Sequence, residues 1–272
     1  MVTTVDVYLW GELIGVAMWN EPRGYASFQY TPEFINKGIE VSPIVMPLSN
    51  RVYSFPELSS KTFLGLPGLL ADALPDQFGR ALLDQWLAMN NRMQANPIER
   101  LCFQGKRSMG ALEFVPAIEK IFSNSSAIEV ASLVKVASEM LHGKEKLYTN
   151  MGQPTEAMMD ILRVGTSAGG QRAKAVIAYN DKTGEVRSGQ LDAPEGFSYW
   201  LLKLDGVTNS LLGDPQHYGE IEYVYYLLAK EAGVSAAETR LLAINDKHHT
   251  LLSRRFDRTD SGKRIHFASA MT

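Results

Sequence analysis

Three charged residues in the second half of the sequence stand in or beside apolar segments. Lys174 opens the apolar run KAVIAY, Lys203 interrupts the run YWLLKLD, and Glu222 lies early in the next helical segment. An unpaired ammonium group inside a protein is costly, so a lysine in a buried strand requires a partner. A glutamate facing it from a helix would supply one, and such a pair can hold nucleotide phosphates. The alternative is a lysine whose stem packs while its ammonium reaches solvent.

The segment GTSAGGQRAK, residues 165–174, combines small residues with two cations directly before an apolar run. Backbone N–H groups in such a loop can face an anion while a lysine reaches in from the following strand. On the segment alone, an exposed turn before an edge strand is favoured; together with Lys203, phosphate binding is favoured. The segment lacks the G-x-x-x-x-G-K-[ST] order of P-loop nucleotidases and the spaced glycines of a dinucleotide fingerprint.

Other possible catalytic or metal-binding combinations are weaker. Ser132 to Lys135 matches S-x-x-K and Lys182 to Gly184 reads K-T-G, as in penicillin-interacting serine enzymes, but S-D-N is missing. The two matches also leave too little chain between them for the helical domain of such enzymes. His248 and His249 are adjacent, so on a strand they point apart and are poor ligands for one metal ion. The tyrosines at 223, 225 and 226 are expected to pack.

Composition narrows the class of protein only broadly. The 272 residues are 45% apolar and 21% charged, with a net charge of −3, which is usual for a globular protein of one or two domains. Nothing in the charge indicates a nucleic-acid or membrane surface. The single cysteine, Cys102, excludes an internal disulfide and is expected to be a buried, inert thiol. The sequence has neither a signal peptide nor a run of about 18 apolar residues, so we expect a cytoplasmic protein that does not contact membranes.

Periodicity and turn residues predict a mixture of helices and strands. The first half reads as a hairpin around Gly11, followed by extended segments at 26–35 and 41–49 in which prolines mark edges and turns. A helix opened by Pro75, with Asp76 in its first turn complementing the helix dipole, a short helix from Pro97 and a strand follow. The second half reads as an amphipathic helix, two strands around the turn 182–184, and the strand holding Lys203. A helix ended by Gly233 and two strands joined at Asn245 follow. Three strands, a helix and two strands is the order of a protein-kinase small lobe, although many α+β domains share it.

The motifs together resemble the HipA-type serine/threonine kinase toxins of bacterial type II toxin–antitoxin systems. LLADALPDQFGRALL resembles the start of a helix in the family's N-terminal region, and GKRSMGALEF resembles the turn and strand that follow it. TSAGGQRAKAVI resembles the family's serine-containing glycine-rich loop. YWLLKLD, EIEYVYYLLAKEAGV and LLSRRFDR resemble, in order, the strand with the ATP lysine, the helix with its glutamate, and the hinge strand. The match runs in the same order along nearly the whole chain.

The resemblance implies a small N-terminal α+β subdomain, residues 1–118, followed by a kinase-like small lobe, residues 119–272, that is C-terminally incomplete. It implies phosphate transfer from Mg-ATP to proteins, with aminoacyl-tRNA synthetases as family targets. It also implies restraint by a HipB-like helix-turn-helix antitoxin that binds operator DNA. Ser167 corresponds to the autophosphorylated loop serine. The residues implied to bind ATP are the phosphate-cradling Gly169, Gly170, Gln171, Arg172 and Lys174, the ATP lysine Lys203, its partner Glu222, and the hinge residues Arg254, Arg255 and Phe256.

The sequence departs from the family after the hinge. The family's catalytic and magnesium-binding aspartates lie well beyond it, whereas this chain ends at Thr272, and Asp257 and Asp260 follow the hinge too closely for those roles. We therefore expect weak ATP binding, no phosphate transfer by these residues alone, and an unmodified Ser167 in protein made without an active kinase. The alternative is a non-catalytic binding module of a toxin–antitoxin complex.

Overall fold

A computed structural model describes residues 2–92, 94–118, 127–141, 156–165, 173–204, 217–245, 248–259 and 261–269. Contacts divide the chain into two units. The first consists of Met1–Pro75, Asp84–Lys120 and Arg264–Thr272, and the second of Asp76–Leu83 and Ile121–Lys263. The sequence suggested a single boundary at residue 118. Two segments belong instead to the unit on the other side of that boundary: Arg264–Thr272 to the first unit and Asp76–Leu83 to the second. Asp76–Leu83 bears on the candidate site.

The first unit is an α+β unit with one four-stranded antiparallel sheet, in the order β3-β2-β1-β4. Its elements are β1 Thr4–Leu9, β2 Glu12–Asn20, β3 Tyr25–Tyr30, α1 Pro32–Ile35, α2 Ser60–Phe63, α3 Gly68–Ala71, the second half of α4 Gln77–Met89, α5 Pro97–Gln104 and β4 Leu112–Val115. The first half of α4, up to Leu83, is grouped with the second unit. The predicted hairpin around Gly11 is confirmed. Trp10 and Gly11 both have positive φ, 52° and 82°, as the tight turn between two twisted strands requires.

The core of the first unit lies between the sheet and α5. Alternate residues of β1 are buried because successive side chains of a strand point to opposite faces. Helix α5 contacts β1, β2 and β4. It begins where the side chain of Asn96 accepts a hydrogen bond from the Glu99 backbone N–H, with Pro97 in the first turn. The fully buried apolar residues include Ile14, Phe28, Phe34, Leu70, Leu101 and Phe114.

Two sequence predictions for the first unit are wrong. The extended segment predicted at 26–35 ends at Tyr30, because Thr31 caps α1 and Pro32 occupies its first turn. The segment at 41–49 forms turns and bends instead of a strand, and the backbone N–H of Met46 donates to the carbonyl of Ser42. Pro43 and Pro47 have no N–H to donate to a neighbouring strand, which disfavours a strand there.

The second unit contains a five-stranded antiparallel sheet in the order β6-β5-β7-β9-β8. Its elements are α6 Val130–Leu141, α7 Glu156–Gly165, β5 Lys174–Asn180, β6 Val186–Ser188, β7 Phe197–Lys203, α8 Tyr218–Glu231, β8 Thr239–Asn245 and β9 His248–Arg254. The predicted order of three strands, a helix and two strands is therefore confirmed, and the fold is α+β with a kinase-like small lobe. Gly233, with a φ of 77°, follows the end of α8 as predicted.

Candidate functional site

Lys203 and Glu222 form an ion pair between the last residue of β7 and the second turn of α8. The Lys203 ammonium donates to Glu222 Oε2, and both side chains are partly exposed, by 26% and 40% respectively. The partner that the sequence predicted for Lys203 is therefore present. Because solvent reaches both groups, an anion can approach the Lys203 ammonium without any rearrangement of the protein around the pair.

Lys174 has a different partner, which lies 98 residues earlier in the chain. Its ammonium donates to Asp76 Oδ2 at 2.5 Å, and the two side chains are only 5% and 2% exposed. The sequence placed Asp76 in the first turn of a helix opened by Pro75. Instead the helix begins at Gln77, and Asp76 is its cap: Asp76 Oδ1 accepts from the Gly79 N–H at 2.9 Å.

Burial shifts the pKa of the Asp76 carboxyl. Its pKa is raised above the ordinary 3.8, chiefly because burial disfavours the charged form. The attraction of Lys174, the hydrogen bond from Gly79 and the charge of Arg80 act in the opposite direction without cancelling that effect. The pair therefore does not repay the whole cost of burying the carboxylate, which is common for buried ion pairs.

The two lysines lie directly opposite each other on neighbouring strands. Lys174 and Lys203 are register partners in the antiparallel pairing of β5 with β7, so their side chains leave the same face of the sheet. Like charges in this position repel each other. Asp76 and Glu222 each neutralise one of them, so this end of the sheet carries two cation–carboxylate pairs, one closed to solvent and one open.

The predicted hinge residues lie at the end of β9, whose last residue is Arg254, and the surroundings of their side chains differ. Arg254 pairs with Glu238 at 3.1 Å and lies over the Trp200 ring. Arg255 is fully buried: it donates two hydrogen bonds to Asp257, at 2.8 and 2.6 Å, and one to the Gly189 carbonyl at 2.8 Å. Phe256 is 61% exposed. Of the three side chains, Phe256 offers the most surface to a ligand.

The predicted loop residues cannot be placed in the same way. Those that lie outside the described residues are Ser167, Gly169, Gly170, Gln171 and Arg172. Their roles remain predictions, whereas the residues on either side, Gly165 and Lys174, are described.

The alternative sites gain no support. Ser132 lies on α6 and donates to Glu129 at 2.8 Å, and Lys182 to Gly184 form the exposed turn between β5 and β6. Within the described ranges, no group of three or more histidine, cysteine, aspartate or glutamate side chains could hold a metal ion. Cys102 is buried as expected, and burial together with the charge of Glu99 raises the pKa of its thiol to about 12. No helix in the part of the chain that is described could cross a membrane.

Sequence reasoning missed Asp76 as a member of the site. A lysine in a buried strand requires a counter-ion. The sequence predicts one for Lys203, namely Glu222, but none for Lys174. In the sequence, the favourable interaction of Asp76 with the helix dipole already accounts for an aspartate at this position, so nothing points to a second partner. Only the folded chain shows that the same carboxylate serves both the helix and the lysine.

Both ends of the chain match known domain families. Residues 5–115 match the model of the HipA N-terminal domain, and residues 166–272 match that of the HipA-like C-terminal domain. No curated protein matches the chain. Among solved structures, the toxin–antitoxin complex of HipA, HipB and operator DNA from Shewanella oneidensis MR-1 contains a similar chain. The match covers 97% of this chain and 53% of that one, with a TM-score of 0.57 and 16% identity, so it shows a shared fold.

Proposed function

Since the chain belongs to the HipA family, with matches to both of its domains, we propose that it is a toxin of a toxin–antitoxin system that acts as a protein serine/threonine kinase. Bound Mg-ATP would supply the phosphoryl group that is transferred to a protein hydroxyl. Because these residues span 53% of the matched chain, the proposal concerns the part of that activity that the second unit can perform, which is nucleotide binding.

The ion pair between Lys203 and Glu222 is the observation that carries this proposal. A lysine at the end of a sheet strand, held by a glutamate from the adjacent helix, is the device by which protein kinases present an ammonium to ATP phosphates. Here the pair is partly exposed, so the ammonium can bind a phosphate oxygen while Glu222 keeps it oriented. In the proposed role Lys203 contacts ATP and Glu222 positions Lys203.

The remaining predicted residues have proposed roles around that pair. Phe256, which is exposed, would contact the adenine, and Arg254 and Arg255 would fix the chain that carries it through their contacts with Glu238 and Asp257. Lys174 would contribute charge at the phosphate end from its closed pair with Asp76. The roles of Ser167 as an autophosphorylation site and of residues 169–172 as a phosphate cradle rest on the family resemblance.

The proposed partners come from the family and from the matched complex. In that complex HipA occurs with HipB and operator DNA, so we propose a HipB-like antitoxin as the direct partner and operator DNA as an indirect one. An aminoacyl-tRNA synthetase as protein substrate and a cytoplasmic location are proposed from the family resemblance alone.

Calorimetric titration with Mg²⁺ and the non-hydrolysable ATP analogue adenylyl imidodiphosphate tests the nucleotide site. We expect Lys203→Met to weaken binding at least about tenfold, since a hydrogen bond to a charged group contributes about 1.5–3 kcal/mol. Lys182→Met is the matched control, because it removes the same charge from the exposed turn between β5 and β6. Equal affinity of wild type and Lys203→Met, or no binding by wild type, would contradict the proposal; no binding would favour a non-catalytic interaction module.

A further inference from the structure

Asp76 holds two elements at once because each of its carboxylate oxygens has its own donor. Oδ1 accepts from the Gly79 N–H at the start of α4, and Oδ2 accepts from the Lys174 ammonium at the start of β5. The backbone carbonyl of Asp76 also accepts the first hydrogen bond of the helix, from the Arg80 N–H at 2.8 Å. With its side chain 2% exposed, the carboxylate has little room to exchange these partners for water.

The first turns of α4 also pack against the end of α7. Gly165, the last residue of α7, leaves so little space that a Cβ added there would lie 2.7 Å from Leu82 Cδ1 and 3.3 Å from Phe78 Cε1. Residues 78 and 82 belong to the same short segment as Asp76, and the whole segment is grouped with the second unit. One helix start therefore contacts the chain at Gly165 and again at Lys174, on either side of residues 166–172.

This arrangement fixes the position of β5 relative to β7. The first residue of β5 is Lys174, whose register partner is Lys203, and the Leu204 N–H donates to the Ala173 carbonyl at 3.0 Å. A displacement of the start of β5 would therefore shift the backbone beside Lys203. Removing the Asp76 charge would also leave the two opposed ammonium groups with one counter-ion between them.

We propose that Asp76 is a positioning residue for nucleotide binding: through Lys174 it holds the start of β5 beside the open Lys203–Glu222 pair. The inference rests on the proposed nucleotide site, and it adds a residue that acts on that site from a segment 98 residues before Lys174. Asp76 itself contacts no ligand in this role. Its effect on affinity must pass through Lys174.

A double-mutant cycle with Asp76→Asn and Lys174→Met separates this role from a merely structural one. Asparagine caps a helix as well as aspartate does, so Asp76→Asn removes the charge and keeps the cap. We expect each single variant to bind Mg²⁺–adenylyl imidodiphosphate roughly tenfold more weakly than wild type, within the range of coupling between contacting residues. The double variant should bind as weakly as Lys174→Met alone, and no more weakly. Asp84→Asn, a carboxylate in the same helix, is the control and should bind like wild type.

Where the single variants fold, either of two results would overturn the inference while leaving the nucleotide site intact: unchanged affinity in Asp76→Asn, or losses that add in the double variant. Failure of the wild type to bind, or insensitivity to Lys203→Met, identifies failure of the proposed function and removes the inference with it. If a single variant does not fold, the double variant still decides, because it buries neither charge alone. An affinity equal to that of wild type in the folded double variant would refute the role.

Discussion

The closed pair Lys174–Asp76 and the open pair Lys203–Glu222 use the same cation at the ends of neighbouring strands and differ in exposure. The side chains of the closed pair are 5% and 2% exposed, and those of the open pair are 26% and 40% exposed. In the closed pair each group depends on the other, because neither can be solvated. In the open pair water can replace either partner, so the lysine can exchange part of its contact for a phosphate.

The difference indicates a division of labour between two chemically similar pairs. A buried pair contributes little net stability but tolerates no missing partner, which makes it suitable for fixing positions. An exposed pair contributes little net stability, tolerates the loss of one partner, and leaves its cation available to a ligand. We therefore assign position to Asp76 and Lys174, and ligand contact to Lys203.

Removing the carboxylate from each pair should give the largest difference between them. Asp76→Ala leaves the Lys174 ammonium buried alone, so we expect the free energy of unfolding to fall by about 3–5 kcal/mol, with about 1 kcal/mol more from the lost helix cap. Glu222→Ala should cost at most about 1 kcal/mol, because solvent compensates an exposed lysine. Urea denaturation followed by circular dichroism measures both values.

Similar losses in the two variants would show that the difference in burial has no energetic consequence. Asp76→Asn is the informative control, since it restores the cap without the charge. Its loss should be smaller than that of Asp76→Ala, because asparagine keeps the cap and a polar group beside Lys174 while it removes a charge that burial disfavours. A loss as large as that of Asp76→Ala would show that the charge itself stabilises the fold.

A smaller loss of stability is expected on substitution of Gly165, where the end of α7 packs tightly against the first turns of α4. Gly165→Ala places a methyl group against Leu82 and Phe78, and overpacking of this kind costs about 1–3 kcal/mol. Leu82→Ala provides the space that the added methyl group lacks. We therefore expect the double variant to lose less stability than the sum of the two single variants in thermal unfolding. Strict additivity would mean that α4 and α7 do not meet at Gly165.

The open pair could be predicted from the sequence and the closed pair could not. Lys203 interrupts an apolar strand, and its partner lies 19 residues later on the next helix, within one local strand–helix unit. Asp76 lies 98 residues from Lys174, so no local pattern joins them. The helix start was predicted at Pro75, close to its position at Gln77, yet periodicity says nothing about which distant segment a helix start contacts. The segment at 41–49 differs from its extended prediction for a related reason: apolar residues between prolines resemble extended chain in sequence, and turns and bends occupy the segment in the structure.

The pH dependence of stability should give the smallest effect, and its sign distinguishes burial from attraction at Asp76. Burial raises the pKa of this carboxyl above 3.8 despite the attraction of Lys174, so at intermediate pH the folded protein binds a proton more readily than the unfolded chain does. The free energy of unfolding should then rise as the pH falls through the folded-state pKa, and should level off below the unfolded value. Asp76→Asn does not titrate at this position, so the difference in unfolding free energy between wild type and this variant isolates the group from all other carboxyls.

We expect urea titrations at successively lower pH to show wild type gaining stability relative to Asp76→Asn. The opposite trend would mean that the attraction of Lys174 exceeds the cost of burial, and that the closed pair contributes net stability. The expected sign implies instead that the fold is less stable with the Asp76 carboxylate charged than with it neutral. A neutral residue at position 76 could cap α4 equally well without that cost, so the charge is explained by what it holds in place, the ammonium of Lys174 beside Lys203.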